Sequence, residues 1–340
     1  GVSNGNNSLI VRVNCHRDQS VKALQLLRSI LSEPTFGLPE FERERDSMAE
    51  KLRSRAASPQ GIAEDRVLQL VYGDHPYAIP RNGLIDAIET LSCDDVRNFY
   101  FNTCLNAQQA VFGLSGDFNA AIEKELDTLI AGLPWSAVSA KPVPLPVFPP
   151  SAVAEKLTNT RSQAVVIEAI PGCDNLNPDR YVIDILQSAM NGQGSNLFKK
   201  IREEANLAYY TGMTSSRGFH PGYIALYAGT SPEGTAETAR LMGLERQRLA
   251  TGGLEKNEFD AALASIAHSN AEQLENSGSL LLQSCLSEYY GNGLMEPFRQ
   301  QEIFDEITFE NANAVIRRYL SCPSPVLVIS APEQECQSKK

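Results

Sequence analysis

The chain has 340 residues, 42% hydrophobic and 21% charged, with a formal net charge of −11. That length holds two domains of ordinary size, and the composition is that of a globular protein. A basic stripe of the kind that binds nucleic acid is missing, and no apolar run approaches the roughly 18 residues that cross a bilayer, so neither nucleic acid nor membrane is expected as a partner.

The opening "GVSNGNNS" is polar and starts at Gly1, which reads as a processed or excised piece. After a short β-like run, "DQSVKALQLLRSIL" places Val21, Leu24, Leu27 and Leu31 on one helical face. "GLPEFERERDSMAEKLRSRAASP" continues as a long helix, and a further helix ends at Tyr72-Gly73. "LSCDDVRNFYFNTCLNAQQAVFGLSG" predicts a short helix and then a buried strand at "AVFGLSG". Residues 140–150, "AKPVPLPVFPP", hold five prolines and form a stiff, extended linker. The expected organisation is a first module over 1–139, the linker, a second module over 151–334 and a polar tail at 335–340.

Beyond the linker, "SQAVVIEAIPG" is strand-like. "NPDRYVIDILQSAMN" is a helix, with Asn177 as cap and Pro178 in the first turn. "GYIALYAGT" and "VLVIS" are further strands, and Ser231-Pro232-Glu233 and Gly252-Gly253 bracket another helix. The two halves repeat one another. Each runs strand, helix, Gly-Leu, long helix, helix ending Tyr-Gly, short helix, strand; Phe41 matches Phe259 and Gly73 matches Gly291. The first copy lacks the strand–helix portion that opens the second, so the chain is expected to begin inside a module. The fold class is therefore α+β, in layers: two tandem homologous modules, each with helices on a sheet, the first incomplete. The seven cysteines are scattered, with no C-x-x-C pair, and read as free thiols.

Residues 191–212, "NGQGSNLFKKIREEANLAYYTG", carry the chemistry in question. A glycine turn feeding a helix can hold a phosphate, but a dinucleotide fingerprint follows a strand, and here a helix precedes it. Read structurally, Gly192 and Gly194 allow a tight turn, and Ser195 or Asn196 caps the next helix. Lys199, Lys200, Arg202, Glu203 and Glu204 form its wet face, and Tyr209-Tyr210 begin a strand.

The same stretch resembles the C-terminal-domain signature of the insulinase/pitrilysin family of zinc peptidases, with Arg202 and Tyr209 seven residues apart. "FGLPEFERERDSMAEKLRSRAASP", "YGDHPY", "LSCDDVRNFYFNTCLNAQQAVFGLSGDF" and "GTSPEGTAETARLMGLERQRLATGGLEKNEF" resemble further family segments in family order. The resemblance implies modules built on a mostly antiparallel sheet, the insulinase-like, mitochondrial-processing-peptidase-like metallohydrolase fold. It implies two halves around a peptide chamber. It also implies an active half that binds zinc through H-x-x-E-H and a downstream Glu. By the same resemblance, Arg202 and Tyr209 position the peptide substrate and polarise its scissile carbonyl.

The zinc set itself is not in this sequence. His16, His75, His220 and His268 stand alone, and none is spaced as H-x-x-E-H or H-E-x-x-H. The slot that matches the family's Glu ligand is Lys51, with Glu50 about 100° round the helix. No metal or other cofactor is therefore expected on this chain, which is expected to be inactive alone and to serve a zinc-bearing N-terminal half or partner subunit. The alternative is a structural or assembly subunit of the same fold with no peptidase role.

Overall fold

The computed structural model describes residues 1–5, 7–136 and 142–333. The polar tail 335–340 and the first two linker residues, Ala140 and Lys141, lie outside the described residues. Contacts divide the chain into two units, one of Gly1–Glu50, Arg81–Val143 and Gln273–Pro297, the other of Lys51–Pro80, Pro144–Glu272 and Phe298–Lys340.

The first unit is mostly helical. It opens on an antiparallel hairpin, β1 (Val2–Asn4) with β2 (Leu9–Val11). α1 (Ser20–Ser32) follows, then the start of α2 (Leu38–Ala56). α3 (Pro59–Tyr72) falls in the second unit. The chain then returns to the first unit with α4 (Ile85–Thr90), α5 (Cys93–Phe99) and α6 (Ala120–Ala131). Ser92 and Asp95 form a reciprocal capping box on α5, and Asn119 caps α6. The strand expected at "AVFGLSG" has no ladder: residues 110–115 carry no assigned secondary structure. A strand needs a neighbour's N–H and C=O groups, and among the described residues of this unit none lies beside it in register.

The second unit is a layered sheet. Its strands are β3 (Val153–Asn159), β4 (Ala164–Pro171), β5 (Ala208–Ser216), β6 (Tyr223–Thr230) and β7 (Val326–Pro332), in the order β3-β7-β4-β6-β5. Only β3 and β7 run parallel; the other neighbours are antiparallel, as the sequence reading expected. β4 is buried at seven consecutive positions because helices cover both of its faces. On one face lie α7 (Asp179–Met190), α9 (Thr235–Gly252), the body of α10 (Lys256–Glu275) and α13 (Phe309–Leu320). Their Ile185, Leu186, Met242, Leu249, Phe259 and Ile316 are fully or almost fully buried. On the other face α3 lays Ala63, Val67 and Val71 against Val165, Ile167, Val326 and Val328. Residues 51–80 precede the linker in sequence, yet this burial groups them with the sheet, so the contact units cut across the sequence modules.

The remaining elements are α8 (Asn196–Phe198), α11 (Ser277–Tyr290) and α12 (Glu296–Asp305). Gly73 and Gly291, matched by the repeat, close α3 and α11 at φ +55° and +88°, a backbone that favours glycine. α9 begins at Thr235, four residues after Ser231, because Ser231 to Gly234 form a preceding turn.

Candidate functional site

α7 delivers the chain to the glycine turn. The Asn177 side chain accepts from the Asp179 N–H at 2.9 Å just ahead of the helix, whose cap position is Pro178, one residue later than the sequence placed it. Asn191 ends it, and its side-chain amide bonds both backbone groups of Met213: Oδ1 accepts from the N–H at 2.9 Å and Nδ2 donates to the carbonyl at 3.0 Å. β5 is an edge strand, so Asn191 closes that edge at one residue and ties the turn to the sheet. Gly212 leaves the room: a Cβ there would sit 2.5 Å from Asn191 Oδ1 and 2.7 Å from the Tyr227 hydroxyl.

The turn needs one of its two glycines. Gly192 sits at φ +89°, while Gly194 has no left-handed backbone and open space around it. Ser195, not Asn196, is the cap: its hydroxyl accepts from Phe198 N–H at 3.2 Å and donates to the Gly192 carbonyl at 2.9 Å. Asn196 instead donates to Glu258 at 2.7 Å.

Past Phe198 the helix widens into a π turn, Lys199–Glu204, in which Ala205 N–H reaches back five residues to the Lys200 carbonyl at 3.2 Å. Such turns are rare and cluster at functional sites. Leu197 and Ile201 are fully buried and anchor its inner side. Arg202 is on the outside, its guanidinium 5.0 Å from the centre of the Phe198 ring. Lys200 departs from the expected wet face, because its Nζ pairs at 2.8 Å with Glu245, whose side chain is 1% exposed.

Arg202 and Tyr209 are joined by a tight connection. Leu207 N–H donates to the Ile201 carbonyl at 2.9 Å, Asn206 takes φ +51°, and Thr230 Oγ1 donates to the Leu207 carbonyl at 2.6 Å. β5 then bulges: Ala208 pairs with Thr230 and Tyr210 with Gly229, which leaves Tyr209 between them without a ladder partner and 61% exposed. A bulge re-aims the extra side chain. Both residues singled out by the sequence are thus solvent-facing side chains on a backbone held at several points.

Behind this segment lies a charged network that the sequence reading missed. Arg248 bonds Glu245 at 2.7 Å and Glu258 at 2.9 Å, and Glu245 also holds Lys200. Burial alone would raise the Glu245 pKa, but the hydrogen bonds from Arg248 and Lys200 outweigh it and hold the carboxyl below the usual range. The sequence signal was weak: a Glu in the middle of a long helix looks like any solvated charge.

The zinc slot of the family finds no donor here. Lys51 is exposed on α2, as is its neighbour Glu50. His16 and His268 are exposed beside Asp18 and Glu272. His75 and His220 do meet, with ring centres 5.2 Å apart, a pairing that spacing alone did not show. Among the described residues His220 Nδ1 is buried without a hydrogen-bond partner, and burial followed by the facing His220 pushes the His75 pKa down against the opposing backbone of Pro144. Two imidazoles are short of the three protein ligands of catalytic zinc, and among the described residues there is no cluster of three or more His, Cys, Asp or Glu able to hold a metal ion. The residues present do not fit a zinc centre.

The model of the Peptidase M16 inactive domain matches residues 90–266, which include the whole turn, π helix and bulge. The chain belongs to that family. An uncharacterized zinc protease of Streptomyces coelicolor is 23% identical over 327 residues, covering 94% of this chain and 70% of that protein. The crystal structure of a peptidase M16 inactive domain from Pseudomonas fluorescens superposes with a TM-score of 0.84 at 22% identity, covering 94% of this chain and 76% of that one. A chain of Complex III2 from Candida albicans also shares the fold, with a TM-score of 0.74 at 16% identity over 93% of this chain and 78% of its own.

Proposed function

We propose that this chain is the non-catalytic half of an M16 zinc endopeptidase. In this reading it walls the peptide chamber and presents Arg202 and Tyr209 to a peptide held by a zinc-bearing half. The observation that carries it is the pair of exposed donors on an anchored backbone. A guanidinium stays charged at any working pH and a phenol remains a donor, so both can hydrogen-bond a scissile carbonyl as negative charge develops on its oxygen. Zinc, when bound in the other half, supplies the activated water. The residues of this chain bind and orient.

The test is to recover the chain together with a polypeptide or upstream segment that carries H-x-x-E-H. The assembly should hydrolyse peptides in a chelator-sensitive way, and the isolated chain should not. Chelator-sensitive cleavage by the isolated chain would overturn the reading. A second reading, an assembly subunit without peptidase role, draws on the shared fold with the Complex III2 chain. It predicts a stable complex whose partner lacks the zinc motif and whose integrity is indifferent to Arg202 and Tyr209.

A further inference from the structure

The charged network under the π turn has an unusual plan. It starts at Asn196, passes through Glu258, Arg248 and Glu245, and ends at Lys200. Both ends lie on one short segment, four residues apart, and Arg202 follows two residues later. Glu258 is itself held by the Glu255 N–H at 2.7 Å. A carboxylate as buried as Glu245 is costly to desolvate, and apolar packing would join the helices without that cost. A π turn is rare and short, and this one has outside supports at Asn196 and Lys200. The network contains two cations and two carboxylates, so both acids are already engaged by Lys200 and Arg248. Arg202 makes no ion pair among the described residues, which leaves its guanidinium available to a ligand.

The geometry points to Glu245 and Glu258 as positioning residues for Arg202, acting through Lys200 and Asn196 as a two-point clamp on the π turn. This rests on the role proposed for Arg202 above. The clamp orients the guanidinium without touching substrate, and its neutrality keeps Arg202 from being drawn into a local salt bridge.

Hydrogen exchange on the chain by itself tests the clamp without a zinc-bearing partner. Lys200→Met and Asn196→Ala remove one support each from its more accessible ends and are the variants expected to fold; Glu245→Gln tests the buried centre. Amides 197–207 should exchange about tenfold faster in the first two, the effect of losing one net hydrogen bond. Amides of β4 and β6 should be unchanged, and Lys200→Arg should restore protection. Unaltered exchange in 197–207, or equal acceleration in β4 and β6, would overturn the clamp. In a peptidase assembly the losses in kcat/KM from Lys200→Met and Arg202→Ala should be non-additive, because the first acts through the second. Additive losses would overturn positioning while leaving the role of Arg202 intact. A harmless Arg202→Ala would instead remove the proposed role of Arg202, and the positioning claim with it, whatever the exchange data show.

Discussion

Arg202 and Tyr209 differ in how replaceable they are. Arg202→Ala removes a charged donor and Tyr209→Phe a single hydroxyl. In the peptidase assembly each should lower kcat/KM by roughly 10- to 1000-fold, with Arg202→Ala the larger, the range for one donor that acts at the transition state. The glycines divide by physical cause. Gly192→Ala meets no atom but must hold φ +89°, which costs about 1 kcal/mol. Gly212→Ala has an ordinary φ but drives a methyl into Asn191 and Tyr227, for about 1–3 kcal/mol. Urea unfolding of the two variants should rank them in that order, and only Gly212→Ala should disturb the β5 edge. His75 provides a pH test. Its native pKa is lowered, so the unfolded chain takes up the proton first. Its contribution is full above about pH 6.5 and is lost as pH falls through the lower native value. His75→Asn keeps an acceptor for the Tyr77 N–H and should flatten the decline in urea midpoint as pH falls below about 6.5.

At the scale of elements, α9 shows why a helix cannot be read from its own pattern. Met242, Glu245 and Leu249 all point inward, so its buried stripe includes a carboxylate. Glu245→Ala leaves Lys200 without its acid and Arg248 with Glu258 alone, and should destabilise by about 1.5–3 kcal/mol, the range for lost hydrogen bonds between charged groups. The sign with pH follows from the lowered carboxyl: its contribution is full above about pH 4.3 and disappears as pH falls through the lower native value. α3 makes a related point. Its Ala63, Val67 and Val71 stripe identifies an amphipathic helix, yet nothing in the stripe names β4 and β7 as the surface that covers it. The β5 bulge has no sequence signature either, since it arises where Ala208 and Tyr210 pair across β6 and Tyr209 cannot.

At the scale of the whole molecule, stability should be uneven. β4 and β6 are central strands with neighbours on both sides, and their amides should be the slowest to exchange. β1–β2 is a lone two-stranded hairpin, and residues 110–115 have no ladder, so their amides should exchange orders of magnitude faster. Equal protection across these segments would contradict this account. Membership of the M16 inactive-domain family and the non-matching ligand slot at Lys51 lead to one further expectation: zinc titrated into the isolated chain should bind no more tightly than adventitious surface sites.

Local physics and order along the chain were enough to establish the layered α+β class and the family resemblance, and to narrow the cap after the glycine turn to Ser195 or Asn196. Hydrophobic periodicity, capping residues and glycine turns act over a few residues, and a one-dimensional reading captures them. Arg202 and Tyr209 came from the family resemblance, and residue by residue they read only as a wet helix face and the start of a strand. Tertiary structure alone decided that Lys200 turns to a buried acid and that Asn191 closes a strand edge. It alone brought His75 to His220 and left "AVFGLSG" without a ladder. Each depends on a partner tens to hundreds of residues away or on the lack of one, and pairing energies of that kind exist only once the chain has folded.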